Sequence, residues 1–214
     1  MRQSGIKGLF LDLDGTLADS MPVMRQVYFD FLARLGRQGS DPDFDSVVGY
    51  TLLDTVKLLK ERHDLAQPPL SLLALYNDLV DEVYITHARP FAGAAQLLAA
   101  ARGRGVFTAV VTSATRRVPE LWLEHNQLDG LVSTVVAADD VARGKPDPEP
   151  YQRALTLAGI DPGQALAVED STNGARAAIA AGIPTYIVGP AGLRPEVPGA
   201  AGTVESLAEL IPLL

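Results

Sequence analysis

The nine residues from Leu9 to Leu17 constrain the fold and the chemistry more than any other stretch of the sequence. They begin as an apolar run, which is typical of a buried strand, and they end in a turn at Gly15. Asp12 and Asp14 stand one residue apart where that strand should end. Because neighbouring carboxylates raise each other's pKa, the pattern predicts a bound cation or a reaction needing one ionised and one protonated carboxyl. An ordinary Asp-rich turn is the alternative.

The composition excludes several classes of protein. With 214 residues and 47% hydrophobic residues, the chain can bury one good core, or a core and a small extra domain. A net charge of −8, with the acids not gathered in one tail, argues against a nucleic-acid partner. The absence of cysteine excludes disulfides, thiolate chemistry and a Cys-based zinc site. Without a basic-then-apolar leader or an apolar run of ~18 residues, we expect a soluble cytoplasmic protein with no membrane partner.

Helical patterns fill residues 19–88, and strands alternate with helices from residue 89 onward. Residues 19–88 carry 6 basic and 11 acidic residues, a net charge of −5. The predicted strands are 6–12, 106–111, 133–137, 165–169 and 184–188. The predicted helices are 21–35, 52–62, 70–86, 94–102, 116–125, 148–158, 174–181 and 204–210. Repeated βα units predict an α/β fold, a Rossmann-like doubly wound parallel sheet. The expected domains are a core of 1–18 and 89–214 and an inserted α-helical cap of 19–88.

Two polar stretches that follow predicted strands suit a phosphate group. Thr112 and Ser113 come after the strand 106–111, where a hydroxyl and the free N–H groups of a helix N-terminus can bind a phosphate oxygen. Plain N-capping is the alternative there. Lys145 lies in a proline-rich turn before a helix, so it is a candidate point charge for a phosphoryl group. A solvated lysine in a helix-entry turn is the alternative for that residue.

A second acidic strand end is the most telling of these features. Glu169 and Asp170 end the apolar strand 165–169 and precede a turn. Open parallel sheets place their ligands at the carboxyl ends of the strands. Two acidic strand ends in one such domain are explained if they share a hard cation, and Mg²⁺ prefers carboxylate and carbonyl oxygens. The alternative is a pair of unrelated helix caps.

Together, Asp12-Leu13-Asp14-Gly15-Thr16 and the three later stretches resemble the four motifs of the haloacid dehalogenase-like superfamily, in order and on the expected elements. Most members of that superfamily are Mg²⁺-dependent phosphatases and phosphomutases. The resemblance implies that the first Asp of the motif is the nucleophile and the second the general acid/base. It also implies a strand order of 5-4-1-2-3, with the first strand beside the one that ends in Glu169.

The resemblance assigns the remaining site residues as well. Thr112, with Ser113 beside it, is similar to the hydroxyl of the second motif, and Lys145 to the lysine of the third. Both are expected to bind the phosphate and to take part in catalysis. Glu169 and Asp170 resemble the metal-binding acids, and the implied Mg²⁺ site is completed by the Asp12 carboxylate and the Asp14 carbonyl.

Within the superfamily, a helical insert after the first motif resembles the subgroup of phosphoglycolate phosphatase, β-phosphoglucomutase and the sugar- and polyol-phosphate phosphatases. Residues 142–151 with 168–171 are most similar to the sugar- and polyol-phosphate phosphatases, whereas a phosphoglycolate phosphatase more usually has Gly-Asp at 169–170. Asp14 disfavours a dehalogenase. A β-phosphoglucomutase needs a cap histidine and arginine, and Met24 and Leu52 stand in the corresponding places.

The sequence therefore predicts a Mg²⁺-dependent phosphatase of small phosphorylated metabolites, sugar or polyol phosphates, that acts through an aspartyl-phosphate intermediate. Met24, Tyr50 and Thr51 are the cap residues expected to touch the substrate, with ordinary packing as the alternative. Other hypotheses are a phosphoglycolate phosphatase, a phosphomutase and a non-catalytic regulator that binds phosphorylated metabolites. A monomer is expected.

Overall fold

The computed structural model describes residues 5–48, 50–192 and 194–214, apart from the side chain of Glu82. These residues form two compact units. The chain up to Asp19 combines with Arg89–Leu214 in what we call the core unit, and Ser20–Ala88 form the helical unit. Among the described residues, no helix is long and apolar enough to cross a bilayer.

The described residues form eight strands and eight α-helices. The strands are β1 (Gly8–Leu11), β2 (Ala18–Asp19), β3 (Arg89–Pro90), β4 (Phe107–Val111), β5 (Thr134–Val136), β6 (Ala165–Glu169), β7 (Thr185–Val188) and β8 (Gly202–Val204). The helices are α1 (Met21–Arg34), α2 (Asp41–Asp45), α3 (Leu52–Arg62), α4 (Pro69–His87), α5 (Ala94–Gly103), α6 (Arg117–His125), α7 (Glu149–Ala158) and α8 (Thr172–Ala180).

A parallel sheet is the framework of the core unit. In the described chain it has six strands in the order β5-β4-β1-β6-β7-β8. The predicted fold class and the order of the five predicted strands are confirmed, and β8 extends one edge. The four residues of β1 are all buried, because a central parallel strand is covered on both faces.

The position of β1 determines where the polar strand ends meet. Leu11, its last residue, is in register with Val110 of β4 on one side and with Val168 of β6 on the other. The residues that follow these three strands therefore emerge side by side at the carboxyl edge. The chain leaves β1 toward β4 on one side and returns to β6 on the other, so this point is a topological switch where such sheets bind ligands.

The helical unit has its own apolar core. Helices α1 and α3 both pack against α4. Val27, Phe31 and Leu59 are fully buried, and the ring of Phe31 lies 5.1 Å from that of Tyr76. The spacing of the apolar residues on α1 is the helical period that predicted this helix. These residues form an apolar core within the helical unit.

The prediction of a last helix over 204–210 is wrong. Val204 ends β8 in register with Val188, and a 3₁₀ helix over Leu207–Leu213 follows. Ser206 begins that helix, because its Oγ accepts a hydrogen bond from the Ala208 N–H at 3.3 Å. A three-residue strand is too short to give a clear alternation signal, and its apolar residues were read as part of the helix.

Helix α2 and the antiparallel strand pair β2–β3 were also not predicted. Ser40 begins α2 by accepting a hydrogen bond from the Asp43 N–H at 3.3 Å. The strands β2 and β3 pair antiparallel, with Ala18 opposite Pro90 and Asp19 opposite Arg89. Both elements are shorter than the windows in which periodicity is informative.

Candidate active site

Three carboxylates converge at the carboxyl edge of the sheet. Asp12 follows β1, and its N–H donates to the Val168 carbonyl oxygen at 3.0 Å, so the β1–β6 pairing continues past the end of the strand. Glu169 ends β6 and is fully buried, and Asp170 follows it. One oxygen from each of these three side chains lies within 4.8 Å of the others. The structure therefore brings together the two acidic strand ends that the sequence predicted would meet.

Lys145 joins these carboxylates. Its Nζ donates to Asp12 Oδ1 at 2.5 Å, to Glu169 Oε1 at 2.6 Å and to the Val111 carbonyl at 2.8 Å, which uses all three of its hydrogens. The side chain is 6% exposed, so it is not the solvated lysine of an ordinary turn. Burial alone would lower the pKa of Lys145, but the charges of Asp12 and Glu169 raise it above its usual range. The lysine is therefore charged at neutral pH.

The loop that carries Lys145 is fixed by hydrogen bonds to the first turn of α7. The Glu149 carboxylate accepts from the N–H groups of Ala142 at 2.8 Å and of Arg143 at 3.1 Å. Asp147 Oδ1 in turn accepts from the Glu149 N–H at 3.0 Å, as an N-terminal cap does. The loop is thus closed on both sides of Lys145, as the flanking prolines predicted.

The site holds more negative charge than Lys145 neutralises. Burial and the charge of Asp12 raise the pKa of Glu169 to about 7, although Lys145 opposes the shift. Burial, Asp12 and Glu169 raise the pKa of Asp170 to about 8. Carboxylate oxygens are the ligands that Mg²⁺ prefers, and a divalent cation would offset this charge. The donor set of Asp12, Glu169 and Asp170 therefore fits Mg²⁺.

Two glycines allow the acids to occupy these positions. Gly15 has a φ of +76°, and a Cβ at that residue would overlap Asp170 Oδ2. A Cβ at Gly174, in the first turn of α8, would overlap the carboxylate of Glu169. The turn at Gly15 was predicted, but the close approach at Gly174 was missed. A glycine inside a helix that is otherwise rich in alanine is the signal that could have found it.

The two hydroxyl residues after β4 differ in their surroundings. Thr112 is buried, its N–H donates to the Val136 carbonyl at 2.9 Å, and its Oγ1 accepts from the Ala114 N–H at 3.0 Å. A hydroxyl that accepts one hydrogen bond still has a hydrogen to donate, so Thr112 can serve a phosphate oxygen. Ser113 is exposed. The bond from Ala114 is a local turn contact and not a helix cap, because α6 begins only at Arg117, and it is compatible with a phosphate contact at Thr112.

Asp14 lies in the turn that follows Asp12 and is partly buried. Its backbone bridges to that of Ala18, and the Gly15 N–H donates to the Ala18 carbonyl at 2.9 Å. The carboxylate of Asp14 is not a member of the three-carboxylate group found among the described residues. The carboxylate of Asp14 is therefore not counted among the metal ligands, and its carbonyl stays a predicted ligand.

Tyr151 is a contact of the site that the sequence analysis did not assign. Its hydroxyl donates to Glu169 Oε1 at 2.6 Å, and the centre of its ring lies 5.5 Å from Lys145 Nζ. The residue is fully buried, and burial together with the charge of Glu169 raises the pKa of its hydroxyl well above the usual value. Its position six residues after Lys145, in the next helix, does not by itself indicate a contact with Glu169.

The three substrate-contact candidates belong to the helical unit. Thr51 begins α3: its Oγ1 accepts from the Asp54 N–H at 3.2 Å and donates to Asp54 Oδ2 at 2.8 Å. Tyr50 is 57% exposed, and Met24 on α1 is partly buried. Thr51 thus has a local capping role, and all three stay predictions as substrate contacts.

The sequence resembles known phosphatases. The family model described as haloacid dehalogenase-like hydrolase matches residues 9–188. A plasmid-encoded phosphoglycolate phosphatase from Cupriavidus necator is 34% identical over 96% of this chain and 92% of its own length. Validoxylamine A 7′-phosphate phosphatase from Streptomyces hygroscopicus subsp. limoneus is 34% identical over 83% of both chains.

Among solved structures, CbbY from Rhodobacter sphaeroides in complex with phosphate superposes with a TM-score of 0.82. It is 26% identical, and the match covers 96% of each chain. Residues 9–188, which the family model matches, contain both acidic strand ends, the Thr112 loop and Lys145. The chain therefore belongs to the family of haloacid dehalogenase-like hydrolases.

Proposed function

We propose that this protein is a Mg²⁺-dependent phosphatase that hydrolyses small phosphorylated metabolites through an aspartyl-phosphate at Asp12. It is a phosphoric monoester hydrolase. The observation that carries the proposal is the bonding of Lys145 to both Asp12 and Glu169 inside a group of three carboxylates. A nucleophile, a fixed positive charge and a set of metal ligands are the parts that phosphoryl transfer through a carboxylate requires.

In the first step, an Asp12 oxygen attacks phosphorus and the bond to the alkoxide leaving group breaks. Lys145 holds Asp12 by Oδ1 and orients it for attack, and its charge lowers the repulsion between the carboxylate and the phosphate. The Thr112 hydroxyl donates to a phosphoryl oxygen, with Ser113 beside it. Asp14, in its protonated form, donates a proton to the departing alkoxide.

In the second step, the same Asp14 acts as the base. Its carboxylate takes a proton from a water molecule, which attacks the phosphorus of the acyl phosphate and releases inorganic phosphate and the Asp12 carboxylate. Asp12, Glu169, Asp170 and the Asp14 carbonyl would hold the metal. When bound, Mg²⁺ neutralises charge on the phosphoryl oxygens and on the acids around them.

We propose sugar or polyol phosphates as the substrates, selected by the helical unit acting as a cap. The basic side chains of that unit are Arg25, Arg34, Arg37, Lys57, Lys60 and Arg62. Each of these has a partner in the described chain: acids for three of them, backbone carbonyls for two. A second anionic group on the substrate would have to displace one of these partners, whereas sugar hydroxyls need no cation. This supports a substrate that carries no anionic group besides the phosphate.

Phosphoglycolate is the second candidate substrate, because a relative with 34% identity is named phosphoglycolate phosphatase. Its leaving group carries a carboxylate, so the two candidates differ in charge as well as in shape. A phosphomutase is less well supported, since Met24 and Leu52 occupy the places where a β-phosphoglucomutase is expected to have histidine and arginine.

Phosphate release from a panel of sugar, polyol and glycolate phosphates, with and without Mg²⁺, tests the proposal. We expect metal-dependent release that falls by about 10³-fold or more in Asp12→Asn, because an amide is a poor nucleophile. The matched control is Asp129→Asn, at an exposed position of the core unit. Metal-independent release, or equal release by Asp12→Asn, would contradict the mechanism. Isomerisation of a sugar phosphate without release would indicate the mutase, and binding without either reaction would indicate the regulator.

A further inference from the structure

We infer that Tyr151 is a positioning residue whose hydroxyl keeps the Glu169 carboxylate in its working orientation while Lys145 changes partners during turnover. The inference rests on the proposed Mg²⁺-dependent phosphatase. It concerns the hydroxyl alone, because the ring has a separate role in packing. We assign Tyr151 no contact with the phosphate or the metal, and it acts through Glu169.

The Glu169 carboxylate receives three hydrogen bonds at the buried end of β6. Tyr151 and Lys145 both donate to Oε1 at 2.6 Å, and the Ser171 hydroxyl donates to Oε2 at a longer 3.3 Å. The two short bonds are charge-assisted and therefore the strong ones. Glu169 is thus held mainly by one donor that carries charge and one that does not.

The neutral donor is attached to the rigid part of the molecule. The Tyr151 ring lies in a buried cluster with Phe10 of β1, Val111 of β4 and Ala167 of β6, which are the three strands that carry the site. Such close-packed residues move little. The hydroxyl therefore stands at a fixed point relative to Asp12 and Glu169, whereas the lysine reaches Glu169 from a loop.

The lysine has no hydrogen to spare for a substrate. Its three hydrogens are used by Asp12, Glu169 and the Val111 carbonyl. If Lys145 is to bind a phosphoryl oxygen, it has to release one of these acceptors. When that acceptor is Glu169, Tyr151 supplies the remaining short bond. Without the hydroxyl, the buried carboxylate would keep only the longer bond from Ser171 and would rotate in search of another donor.

The test compares Tyr151→Phe with Tyr76→Phe. The first variant keeps the ring, its packing and its contact with Lys145, and removes only the hydroxyl. The second removes an equally buried tyrosine hydroxyl from α4 of the helical unit. For Tyr151→Phe we expect kcat to fall about 10–100-fold with KM changed less than about threefold. Calorimetric titration of Mg²⁺ into the substrate-free protein should give a Kd raised by several-fold. Tyr76→Phe should match the wild type in all three quantities.

A double-mutant cycle separates action through Glu169 from a general loss of packing. In a Glu169→Gln background, Tyr151→Phe should lower kcat by less than about twofold, because the carboxylate that the Tyr151 hydroxyl orients is no longer present. Additive losses would overturn the inference. So would an unchanged kcat and Mg²⁺ Kd in Tyr151→Phe, or a tighter Kd, since a hydroxyl that only withdraws charge from Glu169 would weaken metal binding. A wild type that binds no Mg²⁺ would overturn the proposed function itself, and is distinguished by the wild-type titration alone.

Discussion

Each unit of the molecule contains an acid that accepts a hydrogen bond from a tyrosine, but the charges around the two acids differ. Glu169 in the core unit is fully buried, and Asp43 in the helical unit is partly buried. In the core unit Tyr151 donates to Glu169 at 2.6 Å. In the helical unit Tyr28 donates to Asp43 Oδ2, also at 2.6 Å. The same local bond therefore occurs in both clusters, and the difference lies in the charges around it.

The cluster of the helical unit is balanced. Asp43 accepts hydrogen bonds from Tyr28, from Arg62 and from His63 Nε2, the last at 2.7 Å. Burial would raise the pKa of Asp43, but these bonds together lower it to about 2. Burial and the bond to Asp43 raise the pKa of Tyr28 to about 12. Every charge in this cluster has its counterpart, so we interpret it as a structural link between α1, α2 and α3.

The cluster of the core unit is unbalanced. Asp12, Glu169 and Asp170 share the charge of Lys145, and the pKa values of Glu169 and Asp170 are raised to about 7 and about 8 by burial and by mutual repulsion. A group that served only stability would not keep this excess of charge. The pKa of the structural acid Asp43 is thus lowered, whereas the pKa values of the two acids proposed to bind a cation are raised.

Lys145→Met should have the largest effect on stability and turnover, because it removes the positive charge from the unbalanced cluster of the core unit. Loss of one partner from a buried ion pair costs about 3–5 kcal/mol, and we expect the free energy of unfolding to fall by that amount without Mg²⁺ and by less with it. The value of kcat should fall about 10³-fold. Urea denaturation and phosphate release measure the two effects.

The matched control for the lysine variant is Arg62→Met in the helical unit. The Arg62 side chain is 41% exposed, so its loss should cost less than about 1 kcal/mol. Its kcat should stay within about twofold of the wild type. Equal losses of stability in the two variants would contradict the view that the clusters differ in charge balance.

The residues of the two clusters were not equally predictable from the sequence. The acids of the core unit were predictable because they follow apolar runs at strand ends, and register alone then brings Asp12 beside Glu169. The bond from Tyr151 was not, since nothing in a helical pattern indicates which buried tyrosine reaches a carboxylate on a distant strand. The cluster around Asp43 was missed for the same reason, because Arg62 and His63 are about 20 residues away in the chain.

Asp43→Asn tests whether the cluster around Asp43 in the helical unit is structural. The amide cannot accept from Tyr28, Arg62 and His63 as a carboxylate does, and we expect a loss of about 2–3 kcal/mol from the helical unit. Trp122 is the single tryptophan and is buried in α6 of the core unit. Tryptophan fluorescence therefore reports on the core unit, whereas far-UV circular dichroism reports on the helices of both units. We expect the midpoint of urea unfolding followed by circular dichroism to fall, while the Mg²⁺ Kd stays unchanged. A weakened Mg²⁺ Kd with an unchanged midpoint would reverse the assignments of the two clusters.

The stabilisation by Asp43 should depend on pH in a window set by its lowered pKa. Between its ordinary value of 3.8 and the native value of about 2, the unfolded chain binds a proton that the native protein does not. Stability from this group is therefore complete above about pH 4 and is lost as the pH falls toward 2. The difference in unfolding free energy between wild type and Asp43→Asn should narrow from pH 6 to pH 3. A difference that stays constant over this range would contradict the lowered pKa.

Tyr28→Phe should have a small effect and gives the most direct contrast with Tyr151→Phe. It removes the bond to Asp43 and the bond that the Tyr28 oxygen accepts from the Ser40 N–H at 3.2 Å, but keeps the ring against Phe44. Because Arg62 and His63 still hold Asp43, we expect a loss of about 1 kcal/mol in unfolding free energy and no change in kcat. The two tyrosine variants therefore differ in what they change: Tyr28→Phe lowers the free energy of unfolding, and Tyr151→Phe lowers kcat. A tenfold fall in kcat for Tyr28→Phe would show that both hydroxyls serve the reaction, and that charge balance does not distinguish a structural cluster from a catalytic one.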